Sequence, residues 1–278
     1  MLNPIFAGNM DALPAVLGLI GFWYVVVPLL VWNGLRADAV KRMEPFDPSR
    51  HFASPQVVAF LRDNIAALAD QQFRQVADLM NAGAKTTMRI VLLLHPDGAV
   101  ATIAVVSNQQ GSALPVVEFT AELDGGTVLD VNNVRTPPVF APQAWHVTYR
   151  FPEVRDPVRL YRVFQAMLQR RFGSRSMAQR DVASDPARFL AQAMDKECRG
   201  QVAAGYHRLN ERTGGYEPTL KGAYLMTWKL QFPFKQIRAE RLRSKARQLL
   251  RELGMEGPDQ RPVDAPDTVP LEGRFEQR

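Results

Sequence analysis

Glu118, Glu122, His146 and Arg150 are the residues whose types and placement best suit chemistry. They occupy alternate positions of two segments that read as strands. Val117, Phe119, Ala121 and Leu123 alternate with Glu118, Thr120 and Glu122, while Trp145, Val147, Tyr149 and Phe151 alternate with His146, Thr148 and Arg150. A period of two sends each polar set to one face of a sheet. A carboxylate beside an imidazole can exchange a proton, and a guanidinium can hold an anion. The same pattern also fits an ordinary solvated sheet face with cross-strand pairs.

Other chemistry has little support. The four histidines, His51, His95, His146 and His207, are scattered with no helical metal-ligand spacing, so no metal or cofactor is expected. The single cysteine, Cys198, excludes a disulfide framework and sits between Met194 and Val202 on an apolar helical face, which suits a small core residue. No phosphate loop, dinucleotide fingerprint, nucleophile elbow or His-Glu-X-X-His motif occurs. The run from Gly214 to Gly222 has the flexible backbone, hydroxyl and lysine of an anion-binding helix start, but such a run is more often a plain loop capped by Thr219.

A surface for binding is easier to read than a reaction. Between Lys221 and Glu252 nine basic residues face only Glu240 and Glu252, a net of +7, although the whole chain carries +6. Tyr224, Trp228, Phe232 and Phe234 lie just upstream of the densest part. Rings beside cations suit a bilayer interface, so Trp228, Phe232, Lys235, Arg238, Arg241 and Lys245 are expected to touch anionic inner-leaflet lipid or a protein partner. Nucleic acid is not expected, because no recognised binding motif accompanies the charge.

The elements that must position these residues begin with a stretch, Ala12 to Leu35, that holds no charged residue. Its length suits a transmembrane helix. Basic residues cluster after it (Arg36, Lys41, Arg42, Arg50), which predicts an outside N-terminus and a cytoplasmic remainder at the cell membrane. Ser54-Pro55, Asp156-Pro157 and Asp185-Pro186 each place a capping side chain before a proline and so predict helix starts. The first helix is read as carrying Val58, Leu61, Ile65, Leu68, Val76 and Leu79, and the third as reaching Tyr206 and Leu209. Met88–Leu94 and Ala99–Val106, joined by Pro96-Asp97-Gly98, predict a central hairpin. Residues 220–234 fit helix and strand equally, whereas 234–253 read as a helix ended by Gly254.

The chain of 278 residues, 46% hydrophobic, therefore reads as α+β. The expected order is a short outer N-terminus (1–11), one transmembrane helix (12–35) and a linker (36–53). A cytoplasmic domain (54–253) follows, with a mostly antiparallel five- or six-stranded sheet packed by amphipathic helices, and then a disordered acidic tail (254–278). The function expected is binding or scaffolding at the membrane. The alternatives are a membrane-anchored enzyme using Glu118, His146 and Arg150, or a ligand-binding sensor subunit.

Overall fold

A computed structural model of the chain describes residues 12–34, 43–49, 54–82, 86–108, 112–173, 177–178, 181–258 and 269–270. The expected N-terminal segment 1–11, most of the linker 36–53 and most of the tail after 258 lie outside them. The chain divides into two compact units. The first comprises Met1–Ala39, Pro138–Ala141 and Lys196–Arg238; the second comprises Val40–Pro137, Pro142–Asp195 and Ala239–Arg278.

The second unit is built on a mixed sheet of seven strands in sequence order. These are β1 (Glu44–Pro45), β2 (Arg74–Ala82), β3 (Thr86–Leu94), β4 (Val100–Asn108), β5 (Ser112–Glu122), β6 (Val128–Asn132) and β7 (His146–Arg150). All neighbours are antiparallel except β6 and β7, which run parallel. A further strand, β10 (Val269–Pro270), pairs with the start of β5. The hairpin of β3 and β4 stands where the sequence placed it. Its turn is tied by the Asp97 carboxylate, which accepts from the Ala99 N–H at 2.9 Å, and Gly98 takes a positive φ of 98°.

Strict alternation explains the layering. Val91, Leu93, Ala101, Ile103, Val117, Phe119, Leu129 and Val131 share one face, which is covered by α2 (Pro55–Ala69), α3 (Pro157–Phe172) and the later turns of α6 (Phe234–Glu252) through Ala246 and Leu250. The opposite face of β2–β4 packs Ile90, Leu92, Val100 and Ala104 against Val182, Phe189 and Leu190. The sheet therefore has cover on both faces over its first strands and a polar region toward β7.

Helix starts follow the caps. The Ser54 hydroxyl accepts from Val57 N–H at 3.3 Å and Asp156 accepts from Val158 N–H at 3.0 Å, each with proline in the first turn. Asp156 is buried, so Asp156→Ala leaves that donor without its acceptor. The expected cost is about 1–2 kcal/mol, read as a shift of the urea midpoint at unchanged slope.

The sheet has seven strands in order where five or six were expected, two helix boundaries move and one ambiguity is resolved. The first helix does not reach Val76 and Leu79. It ends at Ala69, Gln72 turns the chain at a φ of 65°, and both residues belong to β2. β2 has a bulge between Gln75 and Ala77, which blurs its alternation. The third segment, α4 (Pro186–Ala203), likewise stops before Tyr206. Gly205 at φ 76° leads into a separate hairpin of β8 (His207–Asn210) and β9 (Gly215–Pro218). The ambiguous stretch is a helix, α5 (Leu220–Leu230), capped by Thr219, whose hydroxyl accepts from Gly222 N–H at 2.8 Å.

The transmembrane assignment is overturned. Among the described residues, no helix is long and apolar enough to cross a membrane. The segment forms α1 (Ala12–Gly34), and it packs on α5 inside the first unit. Tyr24, Val27, Pro28 and Val31 are buried or half-buried, the Tyr24 hydroxyl donates to the Phe232 carbonyl, and the Tyr24 ring meets Phe234 edge-on at 6.5 Å. One stripe of this apolar run thus has a protein partner, a use that hydropathy alone cannot separate from lipid contact.

Candidate functional site

The polar end of the second unit's sheet brings Glu118, His146 and Arg150 to one face through β6. Register pairs Glu118 with Asn132 and Asn132 with Arg150; Thr120 pairs with Asp130, and Val128 with His146. Asn132 Nδ2 donates to Glu118 Oε2 at 2.9 Å, and the Thr120 hydroxyl donates to Asp130 Oδ1 at 2.6 Å. Asp130 Oδ2 shares a hydrogen bond with His146 Nε2, and Arg150 donates to the Thr136 carbonyl. Asp130 and Asn132 are buried; Glu118, His146 and Arg150 are half-buried, and Thr148 between the last two is exposed.

The electrostatics follow from this crowding. The Glu118 carboxyl is pushed up to about 7, chiefly by burial and then by the neighbouring Asp130 charge, against the pull of the Asn132 hydrogen bond, His146 and Arg150. Burial also lowers the Arg150 guanidinium, and Glu118 offsets this. A carboxyl that titrates near neutrality can give or take a proton, and the Asp130 contact fixes the His146 ring. Glu122 ends β5 four residues after Glu118, paired with Val128, which in turn pairs with His146.

Asp130 and Asn132 are members of this cluster that sequence reasoning missed, and Thr120, placed on the polar face, was given no role there. Their signal was available, since Asp130 and Asn132 alternate with Leu129 and Val131 on a five-residue strand. Trp145 departs from expectation too. It precedes β7 and stacks on His146 at 5.0 Å and 15°, instead of joining Val147 and Tyr149 against the core. Among the described residues no group of three or more His, Cys, Asp or Glu side chains is arranged to hold a metal ion.

The second candidate is the surface of the first unit. Of the fifteen exposed large apolar residues among those described, thirteen lie in this unit; only Val58 and Leu114 lie in the other. Six belong to α1: Phe22, Trp23, Val25, Leu29, Leu30 and Trp32. The outward side of that helix is therefore as apolar as its packed side. From α5 and the turn after it come Leu220, Trp228, Leu230 and Phe232, the last 75% exposed. Trp228 packs partly on Phe234, with centroids 4.6 Å apart.

The predicted basic contact residues divide. Lys235 is exposed in the first unit. Arg238 is half-buried there and donates to the Pro138 carbonyl at 2.6 Å, so it serves the fold. Arg241 and Lys245 are exposed on the part of α6 that belongs to the second unit. Lys229 is also occupied, donating to the Val139 carbonyl and the Tyr206 hydroxyl, both at 2.8 Å. The run from Gly214 to Gly222 forms no open anion loop: Gly215–Pro218 is a buried strand, and Glu217 accepts from Asn210 at 2.6 Å and pairs with Arg208 at 3.3 Å. No protein-family model, curated protein or solved structure matches this chain.

Proposed function

We propose that the first unit docks on an anionic lipid surface and that the chain acts there as a binding or scaffolding protein. The contact lies along the headgroup region and does not cross the bilayer. The observation that carries this reading is the concentration of exposed large apolar residues in one unit. A water-facing surface of this kind is normally covered by a partner or a membrane. Trp23, Trp32 and Trp228 favour the polar–apolar boundary, and exposed Lys221 and Lys235 supply cations, each worth roughly 1 kcal/mol beside anionic lipid.

Vesicle flotation of the full chain tests the reading. The chain should float with vesicles containing phosphatidylserine and much less with pure phosphatidylcholine, and added salt should release part of it. Phe22→Ser, Leu30→Ser and Phe232→Ser together remove three exposed side chains and should cut partitioning at least tenfold without lowering the melting temperature. Flotation unchanged by the triple substitution would overturn the proposal and leave a protein partner as the occupant of this surface.

The polar patch of the second unit supports a second reading, a proton-exchanging site, on the Asp130–His146 contact beside Glu118. Chemical-shift titration of Glu118 in the wild type and in Asp130→Asn tests it. A lower Glu118 pKa in the variant fits the coupling, and identical titrations would remove it.

A further inference from the structure

We infer that the second unit carries a binding site for a phosphate-bearing ligand in a cleft of about 690 Å³ between the segment leading into α3 and the C-terminal turns of α6. Four guanidinium groups line it, those of Arg155, Arg159, Arg247 and Arg251, against two carboxylates, Glu153 and Glu256. The volume is that of a small-molecule site. Buried Val154 and Leu250 supply an apolar floor. Arg155 and Arg159 are half-buried above it, while Arg247 and Arg251 stand at the exposed rim.

Arg159, Arg247 and Arg251 already hold anionic or carbonyl oxygens. Arg247 pairs with Glu153 at 3.1 Å and with Glu240 at 3.0 Å, Arg251 with Glu256 at 3.5 Å, and Arg159 donates to the Met255 carbonyl at 2.9 Å. The three ion pairs are solvent-exposed on both sides, with side-chain exposures from 46% to 65%. Such pairs contribute little and exchange easily. Glu153 and Glu256 thus stand where a ligand's oxygens would bind, as internal competitors. Guanidinium favours phosphate because its planar fork matches two oxygens at once and it is only weakly hydrated. The site needs neither the lipid docking of the first unit nor the polar sheet patch.

Calorimetry of the full chain with pyrophosphate at low salt is the direct test. Binding should weaken at least tenfold in Arg247→Gln/Arg251→Gln and tighten several-fold in Glu153→Gln/Glu256→Gln, which removes the two competing carboxylates that line the cleft and leaves Glu240 outside it. The second variant keeps the test decisive if the first loses stability. Absence of binding to the wild type, or binding unchanged in both variants, overturns the site. Competition then separates two sources of the same chemistry. Vesicles with phosphomonoester headgroups that displace pyrophosphate assign a lipid headgroup, and vesicles that fail to displace it assign a soluble phosphate ester.

Discussion

Gly222→Val is expected to unfold the first unit around α5. A Cβ built on Gly222 falls 1.9 Å from the Tyr206 carbonyl oxygen and 2.6 Å from its carbon, so α5 can approach the end of the α4–β8 turn only without a side chain. The obstructing atoms are backbone, and no rotamer change relieves them. Tyr206 is itself fixed, because its carbonyl accepts from Thr219 N–H at 3.0 Å and its hydroxyl from Lys229. The cost should reach or exceed the upper end of the roughly 1–3 kcal/mol range for overpacking. Hydrogen exchange reads it locally: amides of 220–230 should lose protection while those of β3–β5 keep theirs. Full protection of α5 in the variant would mean that this approach is looser than the structure has it.

The second large effect concerns pH. The Glu118 carboxyl titrates near 7 in the folded chain, against 4.5 for the ordinary group. The folded protein therefore binds a proton more tightly than the unfolded one. Stability from this group is fully present below about pH 4.5, falls as pH rises, and is lost above about 7. At roughly 1.4 kcal/mol for a tenfold change in proton affinity, this sets a scale of a few kcal/mol. Glu118→Gln keeps an amide of the same shape beside Asn132 and removes the charge. Urea midpoints between pH 4.5 and 7.5 should decline in the wild type and decline much less in the variant. Parallel curves would show that Glu118 ionises normally.

What was legible in the sequence follows from which signals are local. Caps are local, so all three proline-led helix starts were readable. The β3–β4 hairpin was readable too, since an Asp-Gly turn separates two apolar runs. The chain's departures came where two periods coincide. Val76 and Leu79 extend a helical stripe but sit on a bulged strand; the helix ends at Ala69, and the positive φ at Gln72, invisible in residue type, turns the chain ahead of them. Leu220 to Phe232 matched both periods, and the Thr219 cap decided for a helix. The polar patch was half visible. Glu118, His146 and Arg150 could be phased from their own strands, but β6, which links them through Asn132 and Asp130, runs parallel to β7 across a long connection, and sequence carries no mark of that register.

The apolar N-terminal segment teaches a different lesson. Hydropathy registers how apolar Ala12–Gly34 is and says nothing about what its faces meet. The structure gives one stripe to α5 and leaves another exposed, and the exposed stripe is the one proposed to meet lipid. Three of the four tryptophans, Trp23, Trp32 and Trp228, stand exposed in the first unit, whereas Trp145 lies in the second on His146.

That distribution supplies the most direct measurement of lipid docking. Tryptophan fluorescence of the full chain is recorded with phosphatidylserine-containing vesicles whose acyl chains are brominated near the headgroup. The account predicts a blue shift and strong quenching in the wild type, and neither in a Trp23→Phe/Trp32→Phe/Trp228→Phe variant that retains only Trp145. Emission that stays unshifted and unquenched in the wild type, or quenching that persists when Trp145 alone remains, would contradict it.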